Sequence, residues 1–247
     1  MMRADELITA LGLAESRAKA RALIEEKKVF CNGKLVDKPA RKLCETDTIE
    51  VDSSAMTLRY VSRAGLKLEA FLDNHNVDLR GARVLDAGAS TGGFTDCALS
   101  RGAAMSVCVD VGSGQLHQKL LSDPRVINME KTDIRSISLS DFKNIPFDFI
   151  CADLSFISLE KVIKKLLSLL KPDGMLVCLV KPQFETSPEI MRKNKGVLKD
   201  ERLQHAALEK IENYIKAGCP DSRIVGTMPS PIRGGDGNME YLIGIRK

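Results

Sequence analysis

Residues 84–96 read V-L-D-A-G-A-S-T-G-G-F-T-D, and this stretch decides the fold of most of the chain. An apolar run ending in Asp86 is followed by Gly88, Gly92 and Gly93, and then by residues at helical spacing. Strand, glycine-rich turn and helix, in that order, bring backbone amides close to a nucleotide-like ligand. Downstream the pattern alternates. Strands are predicted near 83–87, 106–110, 125–128, 147–152 and 175–180, with helices near 93–101, 115–121, 157–170 and 200–217. Gly174 and Gly218 are placed to end two of these helices. Late strands near 223–228 and 239–245 flank a Gly/Pro-rich loop and are expected to pair antiparallel. The alternation predicts a doubly wound, Rossmann-like α/β sheet over 59–247.

Residues 1–58 read as a separate, small α+β unit. Leu7, Ile8, Leu11 and Leu13 form a short helical stripe, and Ser16 is placed to cap a second helix carrying Ala18, Ala22, Leu23 and Ile24. Asn32-Gly33 between V-F-C and K-L-V is a hairpin signal, because both residues tolerate positive φ. T-I-E-V at 48–51 supplies a further strand, and residues 52–60 read as a joint leading to a helix that starts at Ser62. Net charge is only +4, but residues 17–42 carry nine Lys/Arg against Glu25, Glu26 and Asp37. A local excess of this kind suits a polyanionic partner. Arg17, Lys19, Arg21, Lys27, Lys28 and Lys34 are the candidate RNA-binding residues.

The bulk sequence excludes several classes. A chain of 247 residues has room for one large α/β domain and a small appendage. No apolar run approaches the ~18–20 residues that cross a bilayer, and the N-terminus lacks a signal-like apolar segment. A cytoplasmic protein without membrane insertion is therefore expected. The seven cysteines are scattered and never form C-x-x-C, and the three histidines show no ligand spacing. Neither a disulfide framework nor a metal site is indicated.

Two cofactor classes compete for the glycine turn. A dinucleotide fold prefers G-x-G-x-x-G, whereas here the glycines fall as G-A-S-T-G-G. Asp110, at the end of the second strand, suits ribose hydroxyls in either case. Asp86 just before the turn would repel a pyrophosphate but suits a cationic, amino-acid-bearing ligand, which favours S-adenosylmethionine. Ser90, Phe94 and Asp133 complete the candidate cofactor set with Asp86, Gly88, Gly92, Gly93 and Asp110. The acceptor site falls at the C-terminal ends of later strands. There Asp153 ends C-A-D and Lys181 ends C-L-V-K, while Lys67 and Glu240 are charged residues in apolar surroundings. A lysine closing an apolar strand is costly unless paired or used.

Residues 11–24, L-G-L-A-E-S-R-A-K-A-R-A-L-I, and 29–39, V-F-C-N-G-K-L-V-D-K-P, resemble the αL RNA-binding module. The glycine usual there before the hairpin strand is replaced by Lys27-Lys28. The motif at 84–96, with V-D-V-G-S-G-Q-L, A-D-L-S-F-I-S-L, V-K-P-Q-F-E and S-P-I-R-G-G-D-G-N-M-E-Y-L, resembles the TlyA-type haemolysin/ribosomal RNA methyltransferase family. That family is similar to the FtsJ-like 2′-O-methyltransferases. The resemblance implies S-adenosylmethionine as methyl donor, a ribose of ribosomal RNA as acceptor, and a catalytic set at Lys67, Asp153, Lys181 and Glu240. Asp133 stands where the family commonly has Asn, and Ser113 where an aromatic is frequent. Two other readings stay open at this point: base methylation, including a cysteine-dependent route through Cys151, and a membrane-active haemolysin.

Overall fold

The computed structural model describes residues 1–52, 55, 59–234 and 237–247. The chain divides into two compact units, Met1–Ser62 and Arg63–Lys247. The expected joint at 52–60 lies mostly outside the described residues.

In the first unit the order is β1 (Met2–Arg3), α1 (Ala4–Ala10), α2 (Arg17–Glu25), β2 (Val29–Cys31), β3 (Lys34–Leu35), β4 (Lys42–Leu43) and β5 (Ile49–Val51). Ser16 caps α2 by accepting from the Lys19 amide at 3.2 Å. The hairpin turns on Asn32 and Gly33, both at positive φ, and pairs Cys31 with Lys34. Strands β3, β2 and β5 form one small sheet, and β1 pairs with β4. Leu7, Ile8, Leu23, Ile24 and Val29 are the buried centre of this unit. Leu11, expected on the apolar stripe, lies beyond the end of α1 and is exposed.

The second unit runs α3 (Ala64–Asn74), β6 (Arg83–Ala87), α4 (Gly93–Ser100), β7 (Met105–Val109), α5 (Gln118–Leu121), β8 (Val126–Met129), β9 (Phe147–Ala152), α6 (Ile163–Leu169), β10 (Leu170–Val180), α7 (Pro182–Glu185), α8 (Pro188–Lys193), α9 (Glu201–Gly218), β11 (Arg223–Pro229) and β12 (Tyr241–Arg246). Its seven-stranded sheet has the order β11-β12-β10-β9-β6-β7-β8, with β12 antiparallel to both neighbours and the remaining pairs parallel. After β6 the chain moves outward through β7 and β8, then returns to the other side of β6 as β9. That reversal is the switch point where open α/β sheets bind ligands, outside the strand C-termini. The strands through the middle, such as Val84, Leu85, Phe149, Ile150, Leu176 and Val177, are fully buried, as expected for a sheet covered on both faces.

Three local expectations are corrected. The helix near 115–121 shrinks to four residues, because His117 takes the cap position and its Nδ1 accepts from the Lys119 amide. The helix near 157–170 is broken into a 3-10 turn, Leu159–Lys161, and α6. Gly174 does not end a helix. Helix α6 stops at Leu169, and Gly174 sits in an irregular stretch of β10, where a Cβ would lie 2.9 Å from the Lys171 carbonyl oxygen. Among the described residues no helix is long and apolar enough to cross a membrane.

Candidate active site

The turn after β6 needs its glycines for space as well as for backbone angle. Gly88 has φ +81°, and a Cβ there would meet the Asp153 carbonyl oxygen at 2.6 Å. Gly92 has φ +90°, and a Cβ would run into the Leu116 and Leu120 side chains. Ser90 adopts a left-handed conformation between them, and its amide donates to Asp110 Oδ2 at 2.7 Å. Asp110 Oδ1 accepts from the Gly112 amide at 2.7 Å. The carboxylate is thus pinned at the end of β7 with lone pairs left for a ligand.

Asp86 is buried beneath the turn. Its Oδ2 accepts from the Thr95 amide and hydroxyl at 2.9 and 2.8 Å, and that hydroxyl also touches Ser106 Oγ and Cys108 Sγ. Oδ1 is buried without a hydrogen-bond partner. Burial raises the Asp86 carboxyl to about 7, against the smaller lowering effect of Thr95. An unpartnered buried oxygen calls for an explanation, and a cationic group above the turn fits one.

Above the turn lies a cleft of about 580 Å³. Of the predicted cofactor residues, Gly88, Ser90, Asp110 and Asp133 line it, whereas Asp86, Gly92, Gly93 and Phe94 are buried and do not. Asp133 is held by Arg135 through Nε and Nη2, and this guanidinium keeps its carboxyl below the ordinary range. Three of the lining residues that sequence reasoning missed shape the cleft most visibly. Gln115 accepts from Ser90 Oγ at 3.0 Å, Arg135 fixes Asp133, and Phe156 is 90% exposed at φ +61° with its ring 5.1 Å from Phe184. A bulky side chain in a left-handed conformation is rare and marks a constrained position. Only the F in A-D-L-S-F could have signalled it, and a lone aromatic beside a strand end usually belongs to the core.

The strand ends carry the charged set. Asp153 follows β9, and its amide donates to the Ala87 carbonyl at 3.0 Å, which ties it to the glycine turn. Lys181 follows β10. Its Nζ lies 2.6 Å from Asp153 Oδ1 and 3.0 Å from Ser155 Oγ, and the Oδ1 contact is an ion pair off the hydrogen-bond direction. Lys67, on α3, pairs with Glu240 at 2.6 Å, both nearly excluded from water. The Val180–Tyr241 register sets Lys181 and Glu240 opposite each other just past the ladder between β10 and β12. Gly234 allows Glu240 its position, since a Cβ there would lie 2.6 Å from Oε1. All four residues therefore gather at the C-terminal edge of the sheet, as two ion pairs.

A further acid, absent from the sequence reading, supports this edge. Glu185 is buried and accepts from Ser158 Oγ at 2.6 Å and the Leu159 amide at 2.8 Å. It ties the turn after Lys181 to the loop after Asp153. Cys151, by contrast, points into the core, and burial pushes its thiol well above the usual range. A thiol so placed is no nucleophile.

On the first unit, Arg21, Lys27 and Lys34 are exposed and make no ion pair among the described residues. Arg17 pairs with Asp5 and Glu6, Lys19 with Glu15, and Lys28 with Asp52. Lys27 takes φ +59°, which explains the glycine usual at that turn.

Comparison with known proteins agrees with this geometry. The profile of the FtsJ-like methyltransferase family matches residues 60–247, and that of the S4 domain matches residues 2–49. YqxC of Bacillus subtilis is 42% identical over 98% of this chain and 84% of its own length. A Mycobacterium tuberculosis protein named 16S/23S rRNA (cytidine-2′-O)-methyltransferase TlyA is 38% identical over 99% of this chain and 89% of its own. A solved structure from Streptococcus thermophilus, named as a hemolysin, superposes with TM-score 0.76 at 36% identity, covering 100% of this chain and 88% of that one. The chain belongs to the FtsJ-like methyltransferase family, whose methyl donor is S-adenosylmethionine, and carries an S4 domain ahead of the catalytic unit.

Proposed function

We propose that the chain methylates the 2′-hydroxyl of a ribose in ribosomal RNA, and that it does so in the cytoplasm on ribosomal subunits. The observation that carries the reading is the pair of buried ion pairs, Lys181–Asp153 and Lys67–Glu240, at the sheet edge beside the glycine turn. The relative named as an rRNA (cytidine-2′-O)-methyltransferase supports ribosomal RNA as substrate and a cytidine ribose as acceptor.

The cleft suits the donor. Asp110 would take the donor's ribose hydroxyls, Asp133 its adenine amino group, and the backbone at Gly88 and Ser90 its amino-acid end. The unpartnered Oδ1 of Asp86 would supply negative potential beneath that end. When bound, S-adenosylmethionine supplies an electrophilic methyl group on a sulfonium. The other roles fall to the chain. A ribose hydroxyl is a poor nucleophile and must lose its proton as it attacks. Lys181 Nζ would contact that oxygen and stabilise its developing charge, with the proton passing through the ammonium to the carboxylate of Asp153, its ion-pair partner at 2.6 Å. Lys67 and Glu240 hold the ribose and fix the local field, and much of the rate comes from positioning. Phe156 offers an exposed aromatic face to the target base. Arg21, Lys27 and Lys34 would contact phosphates, helped by Arg17, Lys19 and Lys28.

The test is methyl transfer from labelled donor to purified ribosomal subunits, followed by alkaline hydrolysis. A 2′-O-methyl group blocks attack on the neighbouring phosphodiester, so label in an alkali-stable dinucleotide is the expected result. Label on free mononucleotides, carried by the base, contradicts the reading. Leakage of liposomes by the pure protein without donor would instead favour a membrane-active role.

A further inference from the structure

We propose that Gly226 and Gly244 are positioning residues. They form a trough across β11 and β12 that seats α3 and thereby sets Lys67 against Glu240. The inference rests on the ribose-methylating role proposed for that ion pair.

The two glycines are direct cross-strand partners, just after the irregularity between Ile224 and Gly226. Partners in an antiparallel pair present their side-chain positions to the same face. Two missing side chains side by side therefore leave a gap in that face. Glycine in a strand interior costs stability unless a backbone turn or a close approach requires it. Backbone angle does not require it here, since neither residue lies in the left-handed region. Space does. A Cβ on Gly244 would lie 2.3 Å from Phe71 Cζ and 2.9 Å from Val225 Cγ2, and one on Gly226 would lie 2.1 Å from His75 Cε1.

Both rings come from α3 or its cap, and they touch each other at 4.3 Å between centroids. Lys67, Phe71 and His75 stand at i, i+4 and i+8, so they share one face of the helix. On the strand side, Glu240 and Gly244 share a face by alternation. One helical face thus meets one sheet face at three points: His75 at Gly226, Phe71 at Gly244, and Lys67 at Glu240. Phe71 is fully buried, so its ring has no room to retreat from an added methyl. A helix moves as a unit, and lifting Phe71 carries Lys67, one turn away, off its partner.

The experiment uses the full chain and four variants: Gly244→Ala, Gly226→Ala, Gly244→Ala with Phe71→Leu, and Gly226→Ala with His75→Ala. Two readouts are taken. One is the single-turnover rate of methyl transfer to ribosomal RNA, alongside the affinity for donor. The other is the 15N NMR signal of the Lys67 ammonium, which buried pairing protects from rapid proton exchange. The single alanine variants should lose the protected Lys67 signal and on the order of 10²-fold in rate, with donor affinity kept. Each double variant should regain the signal and most of the rate, which a general loss of stability would not allow. If Gly244→Ala does not fold, the Gly226 pair decides the matter, because His75 is half-buried at the helix end and a shift there disturbs less of the core than one at fully buried Phe71. Folded alanine variants with wild-type rate and signal overturn the proposal, as do double variants that recover neither. The NMR signal keeps this outcome apart from the functional reading: a wild-type chain that leaves ribose unmodified refutes that reading, whatever the Lys67 signal does.

Discussion

The two units use charge in opposite ways. In the first, basic residues are spread over the surface: Arg21, Lys27 and Lys34 are exposed, and Arg17 is paired but still half in water. In the second, four charges stand at one sheet edge as two close pairs, Lys67, Lys181 and Glu240 buried and Asp153 half-buried, with side chains between 4% and 19% exposed. An exposed charge interacts weakly with any single partner and acts through number, and salt screens it. A buried charge is expensive to keep and strong in its effect on what comes near. The first arrangement suits holding a polyanion, and the second suits reacting with one hydroxyl. Composition hides this, because a net charge of +4 reports neither.

The comparison breaks most sharply at Lys181. Lys181→Ala should lower the methyl-transfer rate by roughly 10²–10⁴-fold, the usual range for a lost proton-transfer group. Donor binding by calorimetry should hardly change, and a variant at full rate would remove Lys181 from the chemistry. The other buried pair comes next. Glu240→Ala strands the Lys67 charge and should cost about 3–5 kcal/mol in urea unfolding. Lys67→Met with Glu240→Leu should recover most of that stability while activity stays low.

Asp86 sharpens the contrast through pH. Its carboxyl rises from 3.8 in the unfolded chain to about 7 in the fold. Below the lower value both states are protonated. Between the two the unfolded chain ionises first, so Asp86 makes stability fall as pH rises through that window. Asp86→Asn should flatten this slope, measured by denaturation at pH 4 and pH 8. An unchanged slope would mean that the buried carboxyl is not the source.

Smaller effects belong to the surface. Removing Arg21 or Lys34 should reduce the slope of log affinity against log salt by about 0.7–0.9 each, as expected for one lost phosphate contact. Lys27→Gly relieves a left-handed lysine and should stabilise the first unit by roughly 0.5–1 kcal/mol. If the variant is less stable, the turn is held by contacts of the lysine itself.

How much of this was legible in the sequence depends on range. The strand, turn and helix at 83–100 were readable because neighbouring residues impose them, as was the Asn32-Gly33 hairpin. The four residues of the charged edge could be singled out as charges in apolar runs, but their pairing could not. Lys67 and Glu240 are 173 residues apart, and their meeting depends on where α3 lies on the sheet. Glu185, Gln115 and the glycine trough are invisible for the same reason: each acquires its role only from a partner brought close by folding. Asp86 is legible as a carboxylate suited to a cationic ligand, but the path of its side chain under the glycine loop to Thr95 is not. The misplaced end at Gly174 is a local error, because glycine signals a break without saying which element it breaks.

The most direct test of the account is a single-turnover measurement with enzyme in excess over ribosomal RNA. It would compare wild type, Lys181→Ala, and Arg21→Ala combined with Lys34→Ala. The account predicts that the surface variant needs more enzyme to reach saturation but then reacts at a rate near wild type. Lys181→Ala should saturate normally and react far more slowly. Equal loss of the saturated rate in both variants, or none in Lys181→Ala, would contradict the division of labour between exposed and buried charge.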